Sequence, residues 1–197
     1  MIAWITVQVV TEIFENEIVG LILKKVLTTS ILQLLLLNIS KCIDKLKITD
    51  QLRNQYEFKL IFRGSRDGSY PENFHKICDN KSQTVTIAKV KDCNEILGGY
   101  NPIEWKSDRS WGITKDSFIF SFKNNDKIED FILSHVMNDE KATYNAFNYG
   151  PTFGADDLYI WIWGACYSKK SSYKLPIRES QDYFDVEECE VFQVIKH

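Results

Sequence analysis

The sequence predicts an α+β protein that is mainly β, built of antiparallel strands around a phenylalanine-rich core. Three observations lead there. Aromatic residues make up 13% of the chain, and the Phe and Tyr fall mostly in alternating runs, the period of a strand with one buried face. Turn-forming Gly, Asn, Asp and Pro recur between those runs. The β-branched run Thr84–Val90 is followed, after a polar connection, by a second strand that should pair with it as a hairpin.

A length of 197 residues holds one sizeable domain with a short extension. The domain is placed at residues 31–197, leaving 1–30 as an apolar N-terminal extension without assignment. A net charge of −3 supplies no cationic field, so nucleic-acid binding through phosphate neutralisation is disfavoured. Five cysteines, an odd number with no CxxC pair, argue for reduced thiols in the cytoplasm and against a disulfide framework or a zinc site. The opening MIAWITVQVV has neither a basic region nor a small-residue cleavage pattern.

Taken in order, Ile18–Ile39 approaches the length of a membrane span. Lys24 and Lys25 lie inside it, each costing about 3 kcal/mol at a bilayer centre, so membrane association is expected only if this stretch anchors. Ile31–Leu46 is helix-like, with Ile31, Leu35, Ile39, Cys42, Ile43 and Leu46 on one stripe. The first clear strand alternates Tyr56, Phe58, Leu60 and Phe62 against Glu57, Lys59, Ile61 and Arg63. Gly64 and Gly68 then bracket Ser65-Arg66-Asp67 in a tight turn with positive φ expected at both glycines.

Pro71 starts a short helix with Phe74, Ile77 and Cys78 on one face, and Asp79–Ser82 reads as a loop. Thr84–Val90 and Glu95–Tyr100 form the hairpin. The pair Gly98-Gly99 marks a bulge or a close backbone approach, because paired glycines otherwise weaken a strand. Beyond Trp105 and Trp111, the strand Asp116–Lys123 points Phe118, Phe120 and Phe122 one way. Asn124-Asn125-Asp126 is a turn, and Ile128–Val136 fits either a short helix or an irregular strand. Tyr159–Trp163 reads as an aromatic strand, Cys166–Tyr173 as a polar loop, and Cys189–Ile195 as the closing strand.

Seven motifs occur in a fixed order over about residues 40–196: FRGSRDG (62–68), FHKICD (74–79), TVTIAKV (84–90), ILGGYNPIEW (96–105), DSFIFSF (116–122), YGPTFGADDLYI (149–160) and ECEVFQV (188–194). In these the chain resembles the TLDc domain of the oxidation-resistance proteins, and it looks like the fungal members. The resemblance implies two antiparallel sheets packed as a sandwich with a few peripheral helices, in agreement with the strand reading. It also implies a link to oxidative-stress protection and to binding the vacuolar proton-pumping ATPase, without an established active site. Residues 1–30 carry none of the motifs.

The expected function is therefore a non-enzymatic interaction domain that needs no cofactor, cytoplasmic or peripheral to endomembranes. Arg63, Arg66 and Asp67 are candidates for a partner-binding corner whose guanidinium groups would engage carboxylates, with a capped turn as the structural explanation. Gly98 and Gly99 stand between a strand irregularity and a surface left open for a partner. The alternative is a thiol-based redox enzyme using Cys78 with His75 nearby, which needs an electropositive, partly exposed thiol; the helix pattern instead turns Cys78 inward. His75 and Cys78 as metal ligands lack the third and fourth partners that a site requires. Neither a GxSxG elbow nor a phosphate-binding glycine loop is present.

Overall fold

The computed structural model describes residues 56–123, 131–161 and 164–196. The helix-like stretch Ile31–Leu46, the apolar run Ile18–Ile39 and the turn Asn124-Asn125-Asp126 lie outside them. Alternation gives β1 (Tyr56–Arg63), which runs into a one-turn helix α1 (Gly64–Asp67) and then α2 (Pro71–Cys78). The hairpin follows as β2 (Thr84–Val90) and β3 (Ile96–Asn101), then β4 (Ser110–Gly112), β5 (Phe118–Phe122) and β6 (Phe131–His135). A 3₁₀ turn at Asp139–Lys141 precedes β7 (Thr143–Asn145), β8 (Thr152–Phe153) and β9 (Leu158–Tyr159), and β10 (Val186–Lys196) closes the set.

The strands form two antiparallel sheets, six-stranded in the order β1-β10-β2-β3-β5-β6 and four-stranded in the order β4-β7-β8-β9. The sandwich implied by the motifs is present. Its inter-sheet core joins Ala88, Leu97, Ile119 and Val191 of the large sheet to Phe153 and Leu158 of the small one, with Trp105 and Phe74 filling the margin. Trp105 stands 5.5 Å from Phe153 and 5.6 Å from Phe74, ring centre to ring centre and edge to face in both cases. Its indole N–H donates to Thr84 Oγ1 at 2.8 Å, so a fully buried Trp leaves no polar group unpaired.

The large sheet is apolar on both faces. Phe118, Phe120 and Phe122 share the second face with Val85, Tyr100, Phe192 and Val194, as the alternation of Phe predicts. The opposite face of β5 is buried as well, through Ile119. Ile128–Val136, left open between helix and strand, resolves as β6 over its described part, paired along β5.

Three expectations change. Tyr56, Phe58, Leu60 and Phe62 were assigned to one face, but the register between β1 and β10 shifts between Leu60 and Phe62. Phe58 and Leu60 remain on the second face, while Phe62 and Ile61 go to the inter-sheet core, Phe62 lying 6.0 Å from the ring of Phe74. Positive φ falls on Gly68 (88°) and not on Gly64, which opens α1 in helical geometry and accepts the Gly68 N–H at 3.0 Å. Of the aromatic strand expected over Tyr159–Trp163, residues 162 and 163 lie outside the described residues, and the described part is strand only at Tyr159, in the two-residue β9. Ile160 is buried, whereas Trp161 is exposed.

Candidate functional site

The charged corner is built by the shift in β1 and the turn α1. Asp67 sits at the end of that turn, where its carboxylate accepts the backbone N–H of Arg63 at 2.9 Å. The same carboxylate takes Arg66 in a two-pronged pair, from Nε at 2.8 Å and Nη2 at 2.7 Å, and Nη2 also donates to the carbonyl of Ile61 at 3.1 Å. The Arg66 guanidinium holds the Asp67 carboxyl below the usual carboxylate range. Arg63 reaches across to β10 and pairs with Glu190 at 2.6 Å, and Glu188 accepts the N–H of Ser65 at 3.1 Å. Both guanidinium groups thus engage carboxylates of their own chain. Next to this corner a groove of about 520 Å³ is lined by Ser65, Ser69, Lys91, Asp185, Glu187 and Glu188.

Helix α2 carries the redox alternative. Pro71 opens the helix after an extended Tyr70, and Phe74 and Cys78 are fully buried beneath it. Burial pushes the Cys78 thiol far above its ordinary value, the reverse of what a reactive thiolate needs. Cys166 is pushed up to about 12 by the same cause, and Cys189 is raised as well. Cys93 is the exposed member of the described thiols.

His75 is buried too, and each hydrogen-bond partner of its ring is an acceptor: Asp79 Oδ1 lies 2.8 Å from Nδ1, and the carbonyls of Ala146 and Tyr149 each lie 2.9 Å from Nε2. The other oxygen of Asp79 accepts the Ser107 hydroxyl. This ring staples α2 to the segment between β7 and β8, and it is committed to that task. Among the described residues no three His, Cys, Asp or Glu converge as metal ligands.

Gly98 and Gly99 lie at the centre of the large sheet in unbroken register with both neighbours. Their role is close approach. A Cβ on Gly99 would stand 2.7 Å from the ring of Phe153, and one on Gly98 would meet the Phe120 ring and the carbonyl of Thr86 on the other side. Aromatic rings therefore press onto the pair from both faces of the sheet, and both glycines are buried.

The strongest polar site was not singled out in the sequence. Asp157, 1% exposed, accepts three successive backbone N–H groups, from Ser171 at 2.8 Å, Ser172 at 2.6 Å and Tyr173 at 2.9 Å. Burial raises its carboxyl above the ordinary range, with the three N–H donors pulling the other way. The loop it holds delivers Tyr173 into the inter-sheet space, where the phenol donates to the carbonyl of Ala142 at 2.8 Å and meets Ser117 Oγ at 2.6 Å. Adjacent acids inside the run GADDLYI, where every neighbour is apolar or small, were the available signal.

Among the described residues no helix is long and apolar enough to cross a membrane. No curated protein matches the chain. The family model for the TLDc domain matches residues 23–195, starting ahead of the boundary expected at residue 31 and taking in the described strands β1 to β9 and all but the last residue of β10. With this sandwich and that match over most of its length, the chain belongs to the TLDc domain family.

Proposed function

We propose that this protein is a non-enzymatic interaction domain of the TLDc family, serving oxidative-stress resistance by binding a protein partner, the vacuolar proton-pumping ATPase. The observation that carries the non-enzymatic reading is the state of Cys78. A thiol with no solvent exposure, pushed far up by burial, cannot meet peroxide as a thiolate. The other chemistry-bearing side chains of the matched motifs support it, since His75, Asp67 and Asp157 hold the fold together.

The partner surface is assigned to the corner of Arg63, Arg66 and Asp67 with its adjoining groove, where internal pairs fix the charged groups in one geometry before any partner arrives. Such preorganisation lowers the ordering cost of association. Asp185, Glu187 and Glu188 outnumber Lys91 in the groove, so the segment received there is basic. The full chain, incubated with purified pump, should be retained by it. Glu187→Lys, which also loses the exposed ion pair with Lys89 at 2.7 Å, should weaken retention several-fold while moving the unfolding midpoint little, since exposed ion pairs contribute about 1 kcal/mol or less. Absence of retention with a folded, full-length chain would overturn the partner. Retention unchanged by Glu187→Lys would move the surface elsewhere.

A further inference from the structure

Six aromatic rings run in contact across the small sheet and onto the loop beyond it. Trp111 of β4 stands 4.6 Å from Tyr144 of β7, and Tyr144 stands 6.2 Å from Tyr149. Tyr149 is 4.8 Å from Tyr159 of β9, Tyr159 is 5.1 Å from Tyr167, and Tyr167 is 5.7 Å from Tyr183, all between ring centres. At such separations neighbouring π systems touch, and electron transfer between touching rings is fast compared with the reaction of a side-chain radical with a molecule from solvent.

The two ends of this row differ electrostatically. The Lys141 ammonium lies 5.3 Å over the Trp111 ring. That contact is favourable for an electron-rich indole, and it disfavours a positive hole there. At the other end the phenol of Tyr167 donates to Asp156 Oδ1 at 2.6 Å. A phenol that has lost an electron is a strong acid, so a carboxylate already at hydrogen-bond distance takes the proton with no reorganisation. Burial and the same carboxylate hold the resting Tyr167 phenol protonated, which keeps that proton available for transfer.

We propose that the row is a redox site in which one-electron oxidation of any of its rings by a radical oxidant comes to rest on Tyr167, as a neutral phenoxyl radical with its proton on Asp156. The oxidant gains one electron and becomes its anion. Electrons step from ring to ring toward the ring first oxidised, the last of them leaving Tyr167; its O–H bond breaks, and an O–H bond forms on the Asp156 carboxylate. Charge and protons balance with nothing else consumed. Tyr183, 73% exposed, ends the row in solvent. The proposal is independent of the partner reading above, because it needs no partner and its readout is adduct position, not binding.

The test uses the folded full chain, azidyl radicals generated photochemically, and a spin trap whose adducts are located by peptide mapping. Tyr167, partly buried, should carry several-fold more adduct than Tyr70, which is 62% exposed and outside the row. Asp156→Asn keeps an acceptor for the phenol but removes the base, and it should cut the Tyr167 adduct several-fold and move it to Tyr183. Tyr149→Phe interrupts the row and should retain adduct on Trp111. Adduct yields that follow exposure alone, with Tyr70 matching or exceeding Tyr167, would overturn the proposal. So would an unchanged Tyr167 yield in a folded Asp156→Asn variant. Should that variant fail to fold, Tyr167→Phe decides: the label should reappear on Trp111 and Tyr183, and a pattern unaltered elsewhere in the row would be the refuting result.

Discussion

Removing the Asp157 carboxylate tests the idea that one buried acid, and not the loop's own contacts, fixes residues 171–173. In Asp157→Ala three backbone N–H groups lose their acceptor at once. A buried donor left unsatisfied costs about 1–3 kcal/mol. The costs are not additive, because the freed loop can turn toward water, so the expected loss is about 3–5 kcal/mol, a large part of the ~5–15 kcal/mol that holds a typical domain. Asp157→Asn keeps one oxygen and sets an amide group against the Ser172 N–H, for a smaller loss of about 1–3 kcal/mol. Urea unfolding of the full chain, followed by tryptophan fluorescence, reads both. An Ala variant within about 1 kcal/mol of wild type, or an Asn variant as damaged as the Ala variant, would refute the clamp. The pH dependence gives a further check. With its folded pKa raised by burial, Asp157 contributes stability that is full below the ordinary carboxylate value and is lost as pH rises through the raised value. The gap between wild type and Asp157→Asn should therefore narrow on that rise, and a widening gap would show that the N–H donors outweigh burial.

Gly99→Ala forces a methyl group against the Phe153 ring and should cost about 1–3 kcal/mol in urea unfolding. Adding Phe153→Leu, which withdraws the ring, should make the glycine change cheaper in a double-mutant cycle, and independent costs would contradict the contact. Asp67 has a folded pKa lowered by Arg66, so its contribution is present above the ordinary carboxylate value and lost as pH falls through the lowered one. At this solvent-facing corner Asp67→Asn should cost about 1 kcal/mol or less at neutral pH and nothing in strong acid; a difference that persists there would count against the ion pair. In a Cys42→Ser background, a water-soluble thiol reagent should modify Cys93 promptly and reach Cys78, Cys166 and Cys189 only on unfolding. Native-state labelling of Cys78 at the Cys93 rate would reopen thiol chemistry.

The strands that carry a long alternation were legible in the sequence, and the places where it failed share a cause. Ile61 and Phe62 are both apolar, so the pattern reads equally well with or without the register shift that sends Phe62 to the other core. The small sheet consists of strands two or three residues long, too short for any period to appear. At Gly98 and Gly99 the sequence narrowed the choice to a bulge or a close approach. The deciding ring, Phe153, comes from a distant part of the chain. Of the site residues, Arg63, Arg66 and Asp67 stood out because three charges fall close together around one turn. The acceptors that engage Arg63 and Ser65, Glu190 and Glu188, belong to the last strand, and no local pattern announces that pairing. Asp157 was missed because its partners are backbone groups, which every residue possesses.

The position of β10 has a consequence for how the protein is made. Its neighbours are β1 and β2, and among the described residues no other strand joins those two across the sheet. While the chain grows from the ribosome, β1 has no partner among the described strands until residues 186–196 emerge, and β2 lacks its described partner on that edge for the same interval. The hairpin of β2 and β3 and the ladders to β5 and β6 can assemble early, but the two earliest described strands wait for the last. Domain closure is thus a late, long-range event of the kind that folds slowly, and a nascent chain halted before residue 186 exposes two strand edges to whatever chaperone or aggregate meets them first.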